Sequence, residues 1–183
     1  MQKSAAALAV LMILIAAPVR AQRGLFLGAH ATGASLANQG DNDLLDFGSG
    51  FGAHAGLSFG RSFGLLANYD RSIVGGVSGD VDLGQWDLLG RMSWIRFDAA
   101  NVYLTAGLSK RASTSSLIDA HDGAVLLWGM DPTAGLTGQL MVTSKLAVDA
   151  GMLVAVGSFN DNHGHNVSRI NRLSVGVSYY VGQ

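Results

Sequence analysis

Residues 85–94 read QWDLLGRMSW. Taken alternately, one set is Trp86, Leu88, Gly90, Met92 and Trp94; the other is Gln85, Asp87, Leu89, Arg91 and Ser93. A repeat of two is the mark of a β-strand, whose successive side chains leave opposite faces of the sheet. One face of this strand carries two tryptophans and the other an acid and a base. Whether the greasy face looks into a core or out of the molecule decides the fold.

The totals favour an outward apolar face. The chain has 183 residues, enough for one ordinary domain. Hydrophobic residues make up 49% and charged residues 14%, whereas soluble domains carry roughly 25% charged residues. The formal charge is -1, and no basic stripe with interleaved aromatics occurs, so nucleic acid is not an expected partner. With no cysteine, zinc-thiolate sites, thiol nucleophiles and disulfide frameworks are excluded. The opening MQKSAAALAVLMILIAAPVRAQ has Lys3, an apolar run over 5–17, and small residues at Val19 and Ala21. It reads as a secretory signal over 1–21, cleaved after Ala21, leaving a single barrel domain over 22–183.

Through the mature chain the period of two recurs. Residues 24–35 place Leu25, Leu27, Ala29 and Ala31 opposite Phe26, Gly28, His30 and Thr32. Further strands are predicted over 50–60, 63–73, 85–94, 101–111, 133–143, 146–156 and 169–181. That makes eight, each of the length a tilted strand needs to cross a bilayer. The links alternate: long or medium at 36–49, 74–82, 112–131 and 158–168, short at 61–62, 98–100 and 144–145. The expected fold is all-β, an eight-stranded antiparallel up-and-down transmembrane β-barrel, with one rim of short turns and one of long loops.

In hydrocarbon every backbone polar group must be satisfied within the protein, so a membrane-spanning sheet has to close. Lipid then meets the outward side chains. Trp86 and Trp94 lie about 26 Å apart along the strand at about 3.3 Å per residue, so they are expected in two opposite aromatic girdles. Phe59, Phe63, Phe97 and Tyr179 would join the girdle at the short-turn rim, and Phe51 and Tyr69 the other. The inward positions are mostly small or polar, as a narrow bore filled by side chains requires. An unpaired charge there is costly, so Asp87, Arg91, Asp149 and Arg172 are expected to form an interior salt-bridge and hydrogen-bond network. Asp70, Gln85 and Gln139 extend it, and His30 and His54 are hydrogen-bonded fillers.

With these features the chain resembles the small eight-stranded outer-membrane β-barrels of Gram-negative bacteria, the outer membrane protein A barrel and opacity type. The most specific local match is the final strand, where Ser174, Gly176, Tyr179 and Val181 stand in the pattern of the assembly signal. The last of these is valine in place of an aromatic, and Gly182-Gln183 follow. The resemblance implies an outer-membrane location, contact with outer-membrane lipid and lipopolysaccharide, and insertion by the assembly machinery. It implies a structural or adhesin-like role, with an extracellular ligand, if any, at the loops.

Other chemistry is weakly signalled. Lipid A-modifying barrels resemble a His-x-Ser pair on one face, but here His165 and Ser168 are three apart and so on opposite faces. The stretch Asp161-Asn162-His163-Gly164-His165 reads as a solvated polar loop before it reads as a metal site. Gly24, Gly28 and Gly33 introduce no helix, so they cradle no phosphate. No cofactor, metal or catalytic residue is therefore expected. Val125, Leu126, Leu127 and Trp128 either continue the sixth strand upward or form a contact surface. The competing readings are a narrow pore for small solutes and a soluble lipocalin-like barrel with its apolar face inward around a ligand; a lipid A-modifying enzyme comes behind both.

Overall fold

The computed structural model describes residues 23–38, 46–76, 79–113, 130–160 and 166–181. The leader reading over 1–21, the 161–165 metal reading and the apolar stretch 125–128 fall outside them. Eight strands follow in chain order: β1 Arg23–Asn38, β2 Asp46–Phe59, β3 Phe63–Gly76, β4 Gly79–Arg96, β5 Ala100–Ser113, β6 Asp131–Met141, β7 Leu146–Asn160 and β8 Asn166–Tyr180. Each pairs antiparallel with the next, and β8 returns to β1, so the sheet is a closed barrel. Closure leaves no unpaired edge, as a sheet surrounded by hydrocarbon requires.

Side-chain direction follows the alternation. Large apolar residues point outward and stay exposed on every strand, among them Leu27, Leu57, Leu65, Leu88, Leu104, Leu136, Met152 and Val175. Polar residues of the same strands are buried inside, including Asn68, Asp70, Gln85, Asp87, Arg91 and Arg172. This is the reverse of a water-soluble barrel and sets aside the lipocalin-like alternative, in which the apolar face points inward.

Several boundaries differ from the expected ones. β3 continues to Gly76 and β4 begins at Gly79, so most of the link expected over 74–82 is strand. β7 and β8 likewise extend into 158–168. These stretches lose the strict alternation of polarity because they rise beyond the apolar band, yet their backbones go on pairing. β6 lies two residues earlier than expected. The faces are those expected, with Ala134 and Leu136 exposed and Thr133 and Gln139 buried. Pro132 sits inside that strand opposite Leu108. β8 stops at Tyr180, and Val181, expected within it, lies in the turn that follows while its N–H donates to the Leu25 carbonyl at 2.8 Å.

Two local devices shape the short-turn rim. Gly60 has φ of 79°, a left-handed conformation glycine adopts without steric cost, and it makes the tight β2–β3 turn possible. The β4–β5 register shifts between Ser93 and Ile95, a bulge that leaves both Trp94 and Ile95 exposed on the outside.

Candidate functional site: the barrel interior and its rims

The bore is filled in layers. At the long-link end, Ala34, Val74, Leu83 and Ile170 from β1, β3, β4 and β8 form an apolar cluster. At the short-turn end, Phe26, Met141, Ala147 and Tyr180 form a second, with Leu66 against it. Polar side chains occupy the space between.

Below the first cluster, the Arg172 guanidinium bridges Asp70 and Asp87, giving one N–H edge to each. Asn68 Nδ2 donates to both carboxylates, at 2.7 and 2.8 Å. Gln85 Nε2 donates to Asp87 Oδ1 at 2.8 Å, and the Ser109 hydroxyl donates to the same oxygen at 2.5 Å. Ser109 in turn meets Thr133. Arg111 on β5 pairs with Asp131 at the start of β6. All but the half-buried Asp131 are buried, so pairing offsets the large desolvation cost that a lone charge would carry.

The middle layer joins β1, β2, β3, β6, β7 and β8. His30 Nε2 meets Asp70 Oδ1 at 2.5 Å, His54 Nε2 meets Ser178 Oγ at 2.7 Å, and the two Nδ1 atoms face each other at 3.3 Å. Ser178 donates to Asp149 at 2.5 Å, and Gln139 donates to the other Asp149 oxygen at 2.7 Å. Glycine makes room for the rings. A Cβ at Gly52 would strike His30 Nε2, and one at Gly28 would strike the His54 ring.

Arg91 is held differently. Its guanidinium carbon lies 4.4 Å from the centre of the Phe26 ring and 4.6 Å from that of Tyr103. Its one side-chain hydrogen bond goes to the Tyr180 hydroxyl at 3.1 Å, which passes its own proton to Gln139 Oε1 at 2.7 Å. A cavity of about 60 Å³ lies beside these groups, bordered by His30, His54, Asn68, Arg91, Asp149 and Ser178.

Of the four residues singled out from sequence, Asp87 and Arg172 are brought into direct contact. Asp149 sits in the middle layer, and Arg91 sits between aromatic rings with no carboxylate beside it. Sequence reasoning passed over Asn68, Phe26, Tyr103, Tyr180 and the Arg111–Asp131 pair. All except Asp131 stand at inward positions of strands already read from the alternation. That parity was the available signal for their direction, though not for their contacts.

On the outside, aromatic residues collect at two levels. Phe59 and Phe63 stack at 5.8 Å near the short-turn rim, where Trp94, Phe97 and Tyr179 are also exposed. Eight residues up β4, Trp86 meets Tyr69 at 4.6 Å. Just beyond this pair, toward the long-link rim, Arg71 and Asp82 form an exposed ion pair at 2.7 Å. In β8, Ser174 and Gly176 point inward, whereas Tyr179 and Val181 are exposed on the outside. At the short-turn rim Arg61 donates to the carbonyls of Phe97 and Asp98, tying one turn to the next. Among the described residues, no three His, Cys, Asp or Glu side chains are grouped to hold a metal.

Comparison with solved structures returns small membrane barrels. The chain is similar to Neisserial surface protein A, with 19% identity, a TM-score of 0.60, and coverage of 86% of this chain and 97% of that one. It is similar to Ail, the attachment invasion locus protein of Yersinia pestis, with 11% identity, a TM-score of 0.53 and coverage of 86% and 98%. It is also similar to the outer membrane protein OprG from Pseudomonas aeruginosa, with 13% identity, a TM-score of 0.51 and coverage of 89% and 98%. No protein-family model matches the chain, and no curated protein matches it. The likenesses show a shared fold, the closed eight-stranded outer-membrane type of barrel.

Proposed function

We propose that the protein is an integral barrel of a Gram-negative outer membrane whose interior is closed to solutes. Its role is structural or one of surface contact, adhesin-like, exerted at the long-link rim. The observation that carries this reading is the layered bore, in which an apolar cluster at each end encloses a bonded polar middle. A solute would have to break ion pairs and part packed side chains to cross it. The apolar exterior supports a lipid setting, with Trp86, Trp94, Phe59, Phe63 and Tyr179 as boundary aromatics. Lipid and lipopolysaccharide are the partners of that face, and Ser174, Gly176, Tyr179 and Val181 are the residues the assembly machinery reads.

The reading is non-enzymatic. Ser178 is the one hydroxyl placed against a histidine among the described residues, but it is 1% exposed and gives its proton to Asp149. No substrate reaches it. Contact at the rim is favoured by the strands themselves: β4 spans 18 residues, more than the roughly 9–11 a bilayer needs, so several pairs stand clear of the apolar band. The name of Ail, attachment invasion locus protein, describes the same kind of role for that protein.

The test is conductance of the refolded protein in planar bilayers. The closed bore predicts no steady single-channel current. A reproducible conductance that scales with protein added would replace this reading with the narrow pore. An epitope placed within 114–129 should be detected on intact cells; detection only after the envelope is opened would reverse the proposed orientation.

A further inference from the structure

The two interior histidines are each committed to one tautomer by their neighbours. Asp70, which is also a partner of Arg172, sits against His30 Nε2, so that nitrogen carries the hydrogen and donates. Ser178 spends its single hydroxyl hydrogen on Asp149, so its oxygen accepts from His54 Nε2. Neutral imidazoles held this way turn two Nδ1 lone pairs toward each other across 3.3 Å, with the rings inclined by only 23°. Two facing lone pairs repel unless a cation satisfies both. The separation suits a metal, because ligand nitrogens about 2.0–2.1 Å from a tetrahedral ion stand about 3.3–3.4 Å apart.

A second observation points to the same place. Asn68 is 6% exposed, its Oδ1 has no hydrogen-bond partner, and it borders the cavity that both imidazoles border. It stands directly across from His54 in the β2–β3 register. The cavity, about 60 Å³, has room for coordinating water. Over the whole bore the described inward side chains leave a deficit of one positive charge. Among the described inward side chains, Asp70, Asp87, Asp131 and Asp149 face Arg91, Arg111 and Arg172.

We propose that His30 and His54 form a binding site for one divalent transition-metal ion of the Zn²⁺, Ni²⁺ or Cu²⁺ class, held through their Nδ1 atoms. Asn68 Oδ1 and cavity water complete the shell. Neutral imidazole suits these ions. Asp70 and the Ser178–Asp149 pair orient the rings from behind, as the carboxylates behind metal-binding histidines do. The protein ligands are thus two imidazoles and one amide oxygen. The site depends on the closed bore and not on any role at the rim.

Because both ends of the bore are packed, the ion is best offered during folding. The chain would be refolded from urea into detergent micelles with Zn²⁺ or Cu²⁺ present, and in parallel with a chelator, then desalted and assayed. The expected result is one retained ion per barrel. The Cu²⁺ form should show hyperfine coupling to two nitrogens by electron paramagnetic resonance. His54→Gln should lower the affinity at least tenfold while keeping the shift of the unboiled band on a gel, and joint replacement of His163 and His165 should change nothing. If His54→Gln does not fold, the nitrogen count of the unaltered barrel decides. Uptake that survives His54→Gln, a spectrum with fewer than two nitrogens, or an ion-free barrel whose ¹⁵N spectra show a proton shared between the rings would each overturn the site.

Discussion

Two buried arginines in one bore are accommodated in opposite ways. Arg172, in the upper layer, is clamped between Asp70 and Asp87. Arg91, in the lower layer, has no acid beside it and lies between the faces of Phe26 and Tyr103, with one bond to a phenol. Both are about 95% buried. The upper solution gains Coulomb energy but binds three charges together, so losing one strands the others. The lower solution draws on ring quadrupoles, which are weaker but leave nothing charged behind. A narrow barrel can thus hold a cation by charge or by shape, and the two should fail differently.

The largest effect should come from Arg172→Ala. It leaves Asp70 and Asp87 facing each other without a cation, at an expected cost of about 3–5 kcal/mol. Urea unfolding in micelles, or the temperature at which the compact gel band is lost, would measure it. Restoring the original charge balance with Asp87→Asn in the same chain should recover part of the loss; no recovery would mean that packing rather than charge is at stake. Arg91→Ala should cost less, about 2 kcal/mol, and an equal loss at both arginines would erase the contrast. Smaller again is Tyr180→Phe, which removes the donor to Gln139 and the acceptor for Arg91. A loss of about 1–2 kcal/mol is expected in the same urea experiment. Arg71→Ala, on the exposed pair with Asp82, should leave the unfolding midpoint unchanged within error; a clear drop there would show that the outer surface carries stability attributed here to the bore.

Strand number, closure and the sense of each face could be read from QWDLLGRMSW and its counterparts, because a bilayer forces apolar residues onto every second position. The same cause hid the strand ends. Once β3 passes Ile73, and in β4 before Leu83, water replaces lipid, the pattern lapses, and 74–76 and 79–82 read as a link although their hydrogen-bond ladder continues. The Arg111–Asp131 pair was lost for that reason, since 112–131 read as one link. Arg91's partners were hidden by distance along the chain. Asp87 is four residues away in the same strand, about 13 Å at strand spacing, so that pairing was out of reach. Tyr180 comes from the far end of the sequence, and only the closure of β8 on β1 brings it in.

That closure also imposes an order of events in time. β1 is bonded to β2 on one side and to β8 on the other, so the first strand made is also the neighbour of the last. Until residues 166–180 have arrived, a growing sheet has two open edges and no bore, and Arg172, Ser178 and Tyr180 are missing from every layer described above. A chain emerging from its start therefore has no stable stopping point short of the whole. Until its tail is in place it offers two strand edges to other chains, and the final pairing must meet the loop-closure cost of two ends separated by nearly the full sequence.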